Sequence, residues 1–494
     1  VSWNRREVLG VLGGASANAI AWAFTGCRKA PAVRAPIAPV AEVSGEVRTW
    51  LHDAVATLRG AGFARAHALA VRRTRATAAV DVLGSSVARA LADGVVLVVE
   101  TERGVRERAS SELTRGGVAA AVRALAPKAN APATIDFGPA PAPVATTAAL
   151  DAIGDRELLD RVAQVERREL PGRIVYAAGV LDIDDATVWS VEEHRDLVQR
   201  RVRVRRAMTR VAWDRERPSA IEVARAWSGG IDDQSFDADQ IAYARDTALE
   251  VMTPTAFADG MHPIVLAPSV AAAVIDAAVR ALLTSRAQMR PEVVARLTAD
   301  KTSASPALTL IDDPTAPAAY GGFDFDDEGV PAEALTLVDR GVTVGALADR
   351  AGVAAKRAQI AGRGRRPGHT GTVEPMPSHL RLAPGAGDIA LGDGFQLDSG
   401  HVASVDPASG RAVIEIARAR ELASGRPTGR VYSDLELVGD LATLLGNIAE
   451  ASKQTRTFGV RDERDGLPTW RSIEAPYLRG SGMIRAGARR GELA

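Results

Sequence analysis

Val43, Val47, Leu51, Val55 and Leu58 recur every three or four positions, the spacing of one helical face, and Gly60 and Gly62 follow where such a helix would stop. "FARAHALAV" and "GVVLVVE" then read as strands, and "TERG" as a turn into a further short strand. Val118 to Leu125 returns to helical spacing, which makes 42–128 an α+β unit. The Pro/Ala-rich stretch "APKANAPATIDFGPAPAPVATTAA" separates it from a second unit, 149–255. There "DRELLDRVAQVERREL" predicts a helix, and "RIVYAAGVLDIDDATVWSV" and "DLVQRRVRVRRAMTRVAW" predict long antiparallel strands. In the latter Val202 and Val204 face one way and Arg201, Arg203 and Arg205 the other, the pattern of a solvated sheet face. "ADQIAYARDTALEVM" predicts a helix that ends before Pro254.

A third unit, 258–484, opens with "PIVLAPS" as strand and turn. "APSVAAAVIDAAVRALLTS" follows as an alanine-rich helix with Ser269 as its expected N-cap. Asp276 and Arg280 sit four apart on it and predict a modest exposed ion pair. Short strands and Gly/Pro turns fill the remainder, with no repeat of fixed period. The fold class expected is α+β: an N-terminal α/β sandwich-like domain and a larger C-terminal mixed, strand-rich domain.

Charge adds little. Lys plus Arg and Asp plus Glu are both 61 in 494 residues, so no global field attracts nucleic acid, and no nucleic-acid partner is expected. Cys27 is the one cysteine, which excludes an internal disulfide and a cysteine-based zinc cluster. The N-terminal pattern changes the picture more. Arg5 and Arg6 precede a weakly apolar Val8–Gly26 stretch that ends in Phe24-Thr25-Gly26-Cys27. Residues 1–27 therefore read as a twin-arginine lipoprotein-like signal, with Cys27 as lipid anchor, and 28–41 as a Pro/Ala tether. The expected location is periplasmic or membrane-anchored, and cytoplasmic if the signal is not used.

"GFDFDDEGVPAE" gathers Asp324, Asp326, Asp327 and Glu328 before Gly329. Asp324, Asp326, Glu328 and Gly329 fall at positions one, three, five and six of a helix–loop–helix calcium loop. Position twelve is Leu335, where a bidentate Glu is required, and Pro331 interrupts the loop. A turn whose carboxylates accept backbone N–H bonds fits the stretch better. No G-x-S-x-G elbow and no phosphate loop occur, and "GAGDIA" at 385–390 lacks the helix that would receive a pyrophosphate. The seven histidines are scattered, none in an H-x-x-x-H pair.

"VLAPS", the alanine-rich helix, "LTLIDDPTAPAAYGGFDFDDEGVPAEALTLVDRGV", "GRGRR" and "PSHLRLAPGAG" together resemble the TldD/PmbA family, whose members have been called modulators of DNA gyrase and linked to proteolysis. Asp312-Asp313-Pro314 and the acid stretch match two of its elements, and His379 stands where Asn is usual. The resemblance covers the C-terminal half and implies a C-terminal domain of TldD/PmbA type; the N-terminal half agrees in element order. It makes the acid stretch a structural turn. It also implies that an active TldD-type subunit carries H-E-x-x-x-H on the alanine-rich helix and a cysteine near the C-terminus. Here the corresponding helix positions hold Asp276, Ala277 and Ala281, and no cysteine follows Cys27. The chain is therefore closer to the non-zinc PmbA/TldE type. No cofactor is expected, and the expected partner is a TldD-type zinc subunit or a second copy, acting on unfolded or leader peptides. Two alternatives remain open. One is an active metallopeptidase with zinc relocated to His369, His379 or His401 together with Asp312 or Asp326. The other is a stand-alone exported peptide-binding protein.

Overall fold

The first helical face packs as its periodicity requires. In this computed structural model α1 (Val40–Gly60) buries Val47, Leu51, Val55 and Leu58 completely. The structure describes residues 40–487 apart from 83, 130, 143–149, 164–172, 214–217, 232–235, 252–255, 299–303, 356–357, 359 and 465–466. The export and anchor residues Arg5, Arg6 and Cys27 lie outside the described residues.

β1 (Arg65–Asp81), β2 (Gly84–Thr101) and β3 (Gly104–Ser110) form a meander, followed by α2 (Arg115–Leu125). Thr114 caps α2, its hydroxyl accepting from the Gly117 N–H at 3.1 Å. α3 (Asp155–Ala163) precedes β4 (Ile174–Glu192), β5 (Arg195–Trp213) and β6 (Pro218–Ser228). All six strands make one antiparallel sheet in the order β3-β2-β1-β4-β5-β6. The division at 128/149 therefore does not divide the sheet: β1 pairs with β4 from His67↔Glu192 to Asp81↔Ala178. Fifteen residues of register between two long strands join the two segments more firmly than the Pro/Ala stretch separates them. α1 and α2 share a core with Ala68, Val95, Leu97 and Trp189, and α3 packs Leu158 and Val162 into a second core with Ala76, Ala78, Leu181 and Ile183.

After α4 (Ala238–Glu250) the chain enters β7 (Gly260–Leu266) and α5 (Pro268–Leu282). Three short strands follow: β8 (Leu310–Asp312), β9 (Leu335–Asp339) and β10 (Val342–Thr343). A short helix, α6 (Arg350–Ala354), leads to the two-stranded pair β11 (Gly364–Arg365) and β12 (Glu374–Pro375). β13 (His379–Leu382), β14 (Gly394–Val405), β15 (Arg411–Ala423), β16 (Arg426–Tyr432), β17 (Leu435–Asp440), β18 (Ile448–Arg464) and β19 (Leu467–Ala486) complete the domain. β7 pairs with β14 on one side and β19 on the other, so β19-β17-β15-β14-β7 closes into a five-stranded barrel. Closure removes the open edges that such long strands would otherwise present. α5 packs on β14 and β19, and its alanines allow close approach. A Cβ at Gly400 of β14 would stand 2.9 Å from the Val270 side chain.

Two expectations about α5 are corrected. Ala267 is its N-cap, because Pro268 already occupies the first turn. Ser269, two positions too late to cap, donates to Asp398 Oδ1 at 3.1 Å. Asp276 is 3 % exposed, and its exposed-pair reading fails because β19 covers it.

Candidate functional site

A cavity of about 2500 Å³ opens between the two sheets, walled by β6, α4, α5, β14, β15, β18 and β19. It is larger than the roughly 300–1,000 Å³ of ordinary small-molecule pockets. Arg280, Arg381 and Arg456 line it together with Asp462, Glu474 and Glu415, so both signs of charge are present. At one end Tyr243 of α4 donates to Asp398 Oδ2 at 2.7 Å, and Arg418 pairs with Asp398 and Glu250 at 2.5 and 2.9 Å. These bonds tie α4 to the barrel wall, and Ser269 ties α5 to the same Asp398.

Asp276, Ala277 and Ala281 all line this cavity. Arg471 of β19 donates to Asp276 Oδ1 and Oδ2 at 2.5 and 2.7 Å, a bidentate pair, and to Asp462 of β18 at 2.7 Å. Arg280 adds a contact to Asp276 at 2.9 Å. Burial pushes the Asp276 pKa up, but Arg471 and Arg280 outweigh it and hold the carboxyl below its usual range. Zinc does not fit here. A catalytic site needs about three protein ligands, whereas Asp276 has both oxygens engaged and the two alanines offer no donor. Among the described residues no group of three His, Cys, Asp or Glu side chains gathers for a metal.

The residues of the relocated-metal alternative are dispersed. His369 bonds Ser111 Oγ at 3.1 Å, His379 Nδ1 bonds Ser472 Oγ at 2.8 Å, and His401 pairs with Glu415 at 2.9 Å. Asp312 is sealed in an ion pair with Arg363 and accepts from the Ser378 hydroxyl. Asp326 accepts three backbone N–H bonds, from Glu328, Val330 and Gly364, each at 2.9 Å. Its carboxylate organises a turn, and burial pushes its pKa up to about 6.

That turn is also where the arginine row goes. Arg201 and Arg203 are 7 % and 2 % exposed, against the expectation of a solvated face. Arg201 donates to Phe325 O at 2.7 Å and Arg203 to Tyr320 O at 2.9 Å, while the Gln199 amide takes both Phe325 O and Asp324 N–H at 2.8 Å. Asp327 faces Arg201 and Arg365 at 3.5 and 3.6 Å. The guanidiniums of Arg73 and Arg203 both lie over the Trp470 ring, 4.7 and 4.6 Å from its centroid. The acid turn thus clamps the N-terminal sheet to the barrel domain. Sequence reasoning missed Arg471 and Asp462. The available signal was Asp276 itself, a lone carboxylate in an apolar helix, which demands a cation if buried.

With this geometry in view, the comparisons with known proteins fall into place. Residues 259–487 match the family model described as the PmbA/TldA metallopeptidase C-terminal domain, so the C-terminal domain is of the TldD/PmbA type. A metalloprotease of Methanocaldococcus jannaschii is 23 % identical over 215 residues, 42 % of this chain and 47 % of that protein. The match thus spans about half the length of this curated relative. Crystal structures described as modulators of DNA gyrase, from Bacteroides thetaiotaomicron and Thermotoga maritima, superpose with TM-scores of 0.69 and 0.68 at 15 % and 14 % identity. Each covers 90 % of this chain, and 99 % and 100 % of those chains are matched. TldE from Thermococcus kodakarensis gives 0.65 at 16 % identity, over 90 % of this chain and 100 % of that one. At these identities the likeness is one of fold: mixed α+β, with a barrel-containing C-terminal domain.

Proposed function

We propose that this chain is a TldE/PmbA-like subunit of a TldD-type metalloprotease assembly, without a zinc site of its own, that helps hold unfolded or leader peptides for cleavage by a zinc-bearing partner. The observation that carries this reading is the wall formed by α5. The helix positions that correspond to H-E-x-x-x-H hold Asp276, Ala277 and Ala281, and Asp276 is engaged by Arg471. A carboxylate held by a guanidinium neither binds zinc nor takes a proton from water. The cavity remains, large enough for an extended peptide and lined by charges of both signs. The N-terminal signal pattern places the subunit, in this proposal, in the cell envelope, so its partner is exported as well.

The test is metal analysis of the purified chain together with an assay on an unfolded peptide, alone and with a co-expressed H-E-x-x-x-H chain. The expected result is no stoichiometric zinc and no cleavage alone, and cleavage with the partner. One zinc per chain with chelator-sensitive cleavage overturns the proposal. Peptide binding with no cleavage under either condition replaces it with a stand-alone binding protein. Arg5→Lys with Arg6→Lys should retain the protein in the cytoplasm, and Cys27→Ala should abolish lipid labelling.

A further inference from the structure

The inner face of the six-stranded sheet carries an ionic pattern that breaks at one position. Across β1, β4 and β5, successive rows read Thr77–Asp182–Arg205, Arg75–Asp184–Arg203 and Arg73–Ala186–Arg201. The first two rows place an aspartate beside their arginines. The third has a methyl group in that place, and Ala186 is 1 % exposed. Two strand spacings put the backbones of Arg73 and Arg201 about 10 Å apart. The barrel domain covers this region with Trp470, Phe323 and a further cation, Arg365. Arg73 and Arg203 lie over the Trp470 ring, and Arg201 and Arg365 lie over Phe323, 5.4 and 4.8 Å from its centroid. These four buried guanidiniums face two buried carboxylates, so four positive charges less two negative leave two in excess. Asp184 lies 3.3 Å from Arg73 and 3.6 Å from Arg203, and Asp327 lies 3.5 Å from Arg201 and 3.6 Å from Arg365. Each contact is longer than a charge-assisted hydrogen bond. The Nε atoms of Arg73, Arg201 and Arg365 are buried and donate to no acceptor among the described residues, whereas Arg203 spends its Nε on Tyr320 O. The other charges nearby do not close the gap: Asp324 is exposed to solvent, and Glu107 is engaged by Arg366.

We propose that the interior over Ala186 binds a chloride ion, held by the Nε–H groups of Arg73, Arg201 and Arg365 beside the rings of Trp470 and Phe323. The ion stands where the neighbouring rows have a carboxylate. A guanidinium does not give up its proton in a protein, so an excess of buried ones needs a counter-charge. Burial lowers the Arg201 pKa to about 10 and the Arg203 pKa to about 9, and repulsion from Arg73 and Arg365 contributes at both. Both still carry their charge at neutral pH, and both lie within electrostatic reach of the other two arginines. A halide suits the place better than an oxyanion. Chloride is one charge in a small sphere and needs donors on part of its surface only. Phosphate or sulfate brings several acceptor oxygens, and the two aromatic rings leave the sides they occupy without donors. Arg73 and Arg201 belong to the N-terminal sheet and Arg365 to the barrel domain, so the ion adds to the clamp between them. The proposal does not rest on the subunit reading, and its test involves neither a partner nor peptide cleavage.

The experiment follows thermal denaturation of the full chain in sodium chloride, bromide, gluconate or phosphate at equal ionic strength. Chloride and bromide should raise the melting temperature by roughly 3–8 °C over gluconate, the shift expected of an ion present at about 100 times its dissociation constant. Crystals grown in sodium bromide should show an anomalous bromine peak over Ala186, within contact distance of the Arg73 and Arg201 Nε atoms. Ala186→Asp supplies the missing carboxylate from the chain itself. It should melt alike in chloride and gluconate, and Arg201→Met should lose the halide response as well. Equal melting of the wild type in chloride and gluconate overturns the proposal. So does bromide found at surface arginines and not over Ala186, an adventitious ion only. Stabilisation by phosphate but not by either halide also overturns it, because the place then takes a polyatomic oxyanion. A halide response that survives in both variants puts the ion elsewhere and counts against it equally. Should Ala186→Asp not fold, Arg201→Met is read in its place, and the wild-type bromide map decides whether or not either variant folds.

Discussion

Asp326, in the acid turn, and Asp276, on α5, are 0 % and 3 % exposed, yet their surroundings differ in kind. Asp326 is held by backbone dipoles, three N–H groups at 2.9 Å, and burial still pushes its pKa up to about 6. Asp276 is held by full charges, and its pKa falls despite equal burial. Dipoles can satisfy every lone pair of a carboxylate and leave its charge unbalanced, whereas a guanidinium does both. The two therefore respond differently to mutation and to pH. Asp326 fixes a local loop, and its partners lie within 38 residues. Asp276 fixes a tertiary contact across 195 residues.

The largest effect should separate them at once. Asp276→Ala removes two of the three carboxylate bonds of Arg471, leaving Asp462 alone to balance it, and should cost about 3–5 kcal/mol, whereas Asp276→Leu with Arg471→Met should be close to neutral. Chemical denaturation of the single and double variants measures both. If the single variant is as stable as the double, the pair is not the charged lock inferred from its geometry. Asp326→Ala leaves three buried N–H groups without acceptors and should cost roughly 2–4 kcal/mol. No second substitution should restore it, because the partners are backbone; a rescuing variant elsewhere in the turn would break the comparison.

Gly329 tests how tightly the turn seats on the N-terminal sheet. Its φ is +72°, and a Cβ there would lie 2.5 Å from Ser190 Oγ. Gly329→Ala should cost about 1–3 kcal/mol, from the left-handed backbone and the clash together. Adding Ser190→Gly should return the clash portion and leave the backbone portion. Equal stability of the two variants would mean that the loop lifts off the sheet.

The smallest effect is on pH. Burial raises the Glu328 pKa to about 7, with the Arg350 N–H acting against it and Asp326 and Asp349 adding to the rise. Above its ordinary value the folded state binds the proton more tightly than the unfolded chain. This contribution to stability should therefore decline as pH rises from about 4.5 through 7, by on the order of 1–2 kcal/mol, and Glu328→Gln should flatten it. His67, buried beneath Gly329, has its pKa lowered to about 3 and contributes with the opposite slope. Between pH 6.5 and 3 the unfolded chain takes the proton first, so stability rises with pH, and His67→Gln should remove that rise. Urea denaturation at pH 5 and 7.5 resolves the two slopes, and Glu328→Gln with an unchanged slope would place the carboxyl in water.

What could be read from the sequence follows the same local-versus-distant division. The helix α1, the β1–β2–β3 meander, the β4–β5 pair and the acid turn all carry their cause within a few residues: a 3.6-residue period, an alternation, Asp followed by Glu and Gly. The resemblance of the C-terminal half marked the degenerate helix positions Asp276, Ala277 and Ala281. The sequence did not show that Arg201 and Arg203 are interior. Alternation identifies the two faces of a strand but not what covers each, and here the covering loop begins more than a hundred residues later. The Ser269 cap failed for a local reason, since Pro268 moved the helix start by two positions. Arg471 left no local trace because a strand arginine looks the same whether it faces water or an aspartate on a helix.

β19 gives the molecule a particular order of assembly. It pairs with β7, β13, β17 and β18, and β7 lies some two hundred residues earlier. During synthesis α5 must therefore wait beside an open barrel until the final strand leaves the ribosome, with Asp276 still lacking its arginine. Contacts of such sequence separation are slow to form, and the intermediate exposes the apolar surface of α5 together with the edges of β7 and β17. The strand pairing of the N-terminal sheet is complete at β6, so the sheet can form ahead of the barrel while its inner face, with Arg201 and Arg203, still awaits the acid turn. Nascent chains arrested before Leu467 should thus show a protease-resistant N-terminal half and a C-terminal half that remains a substrate for chaperones.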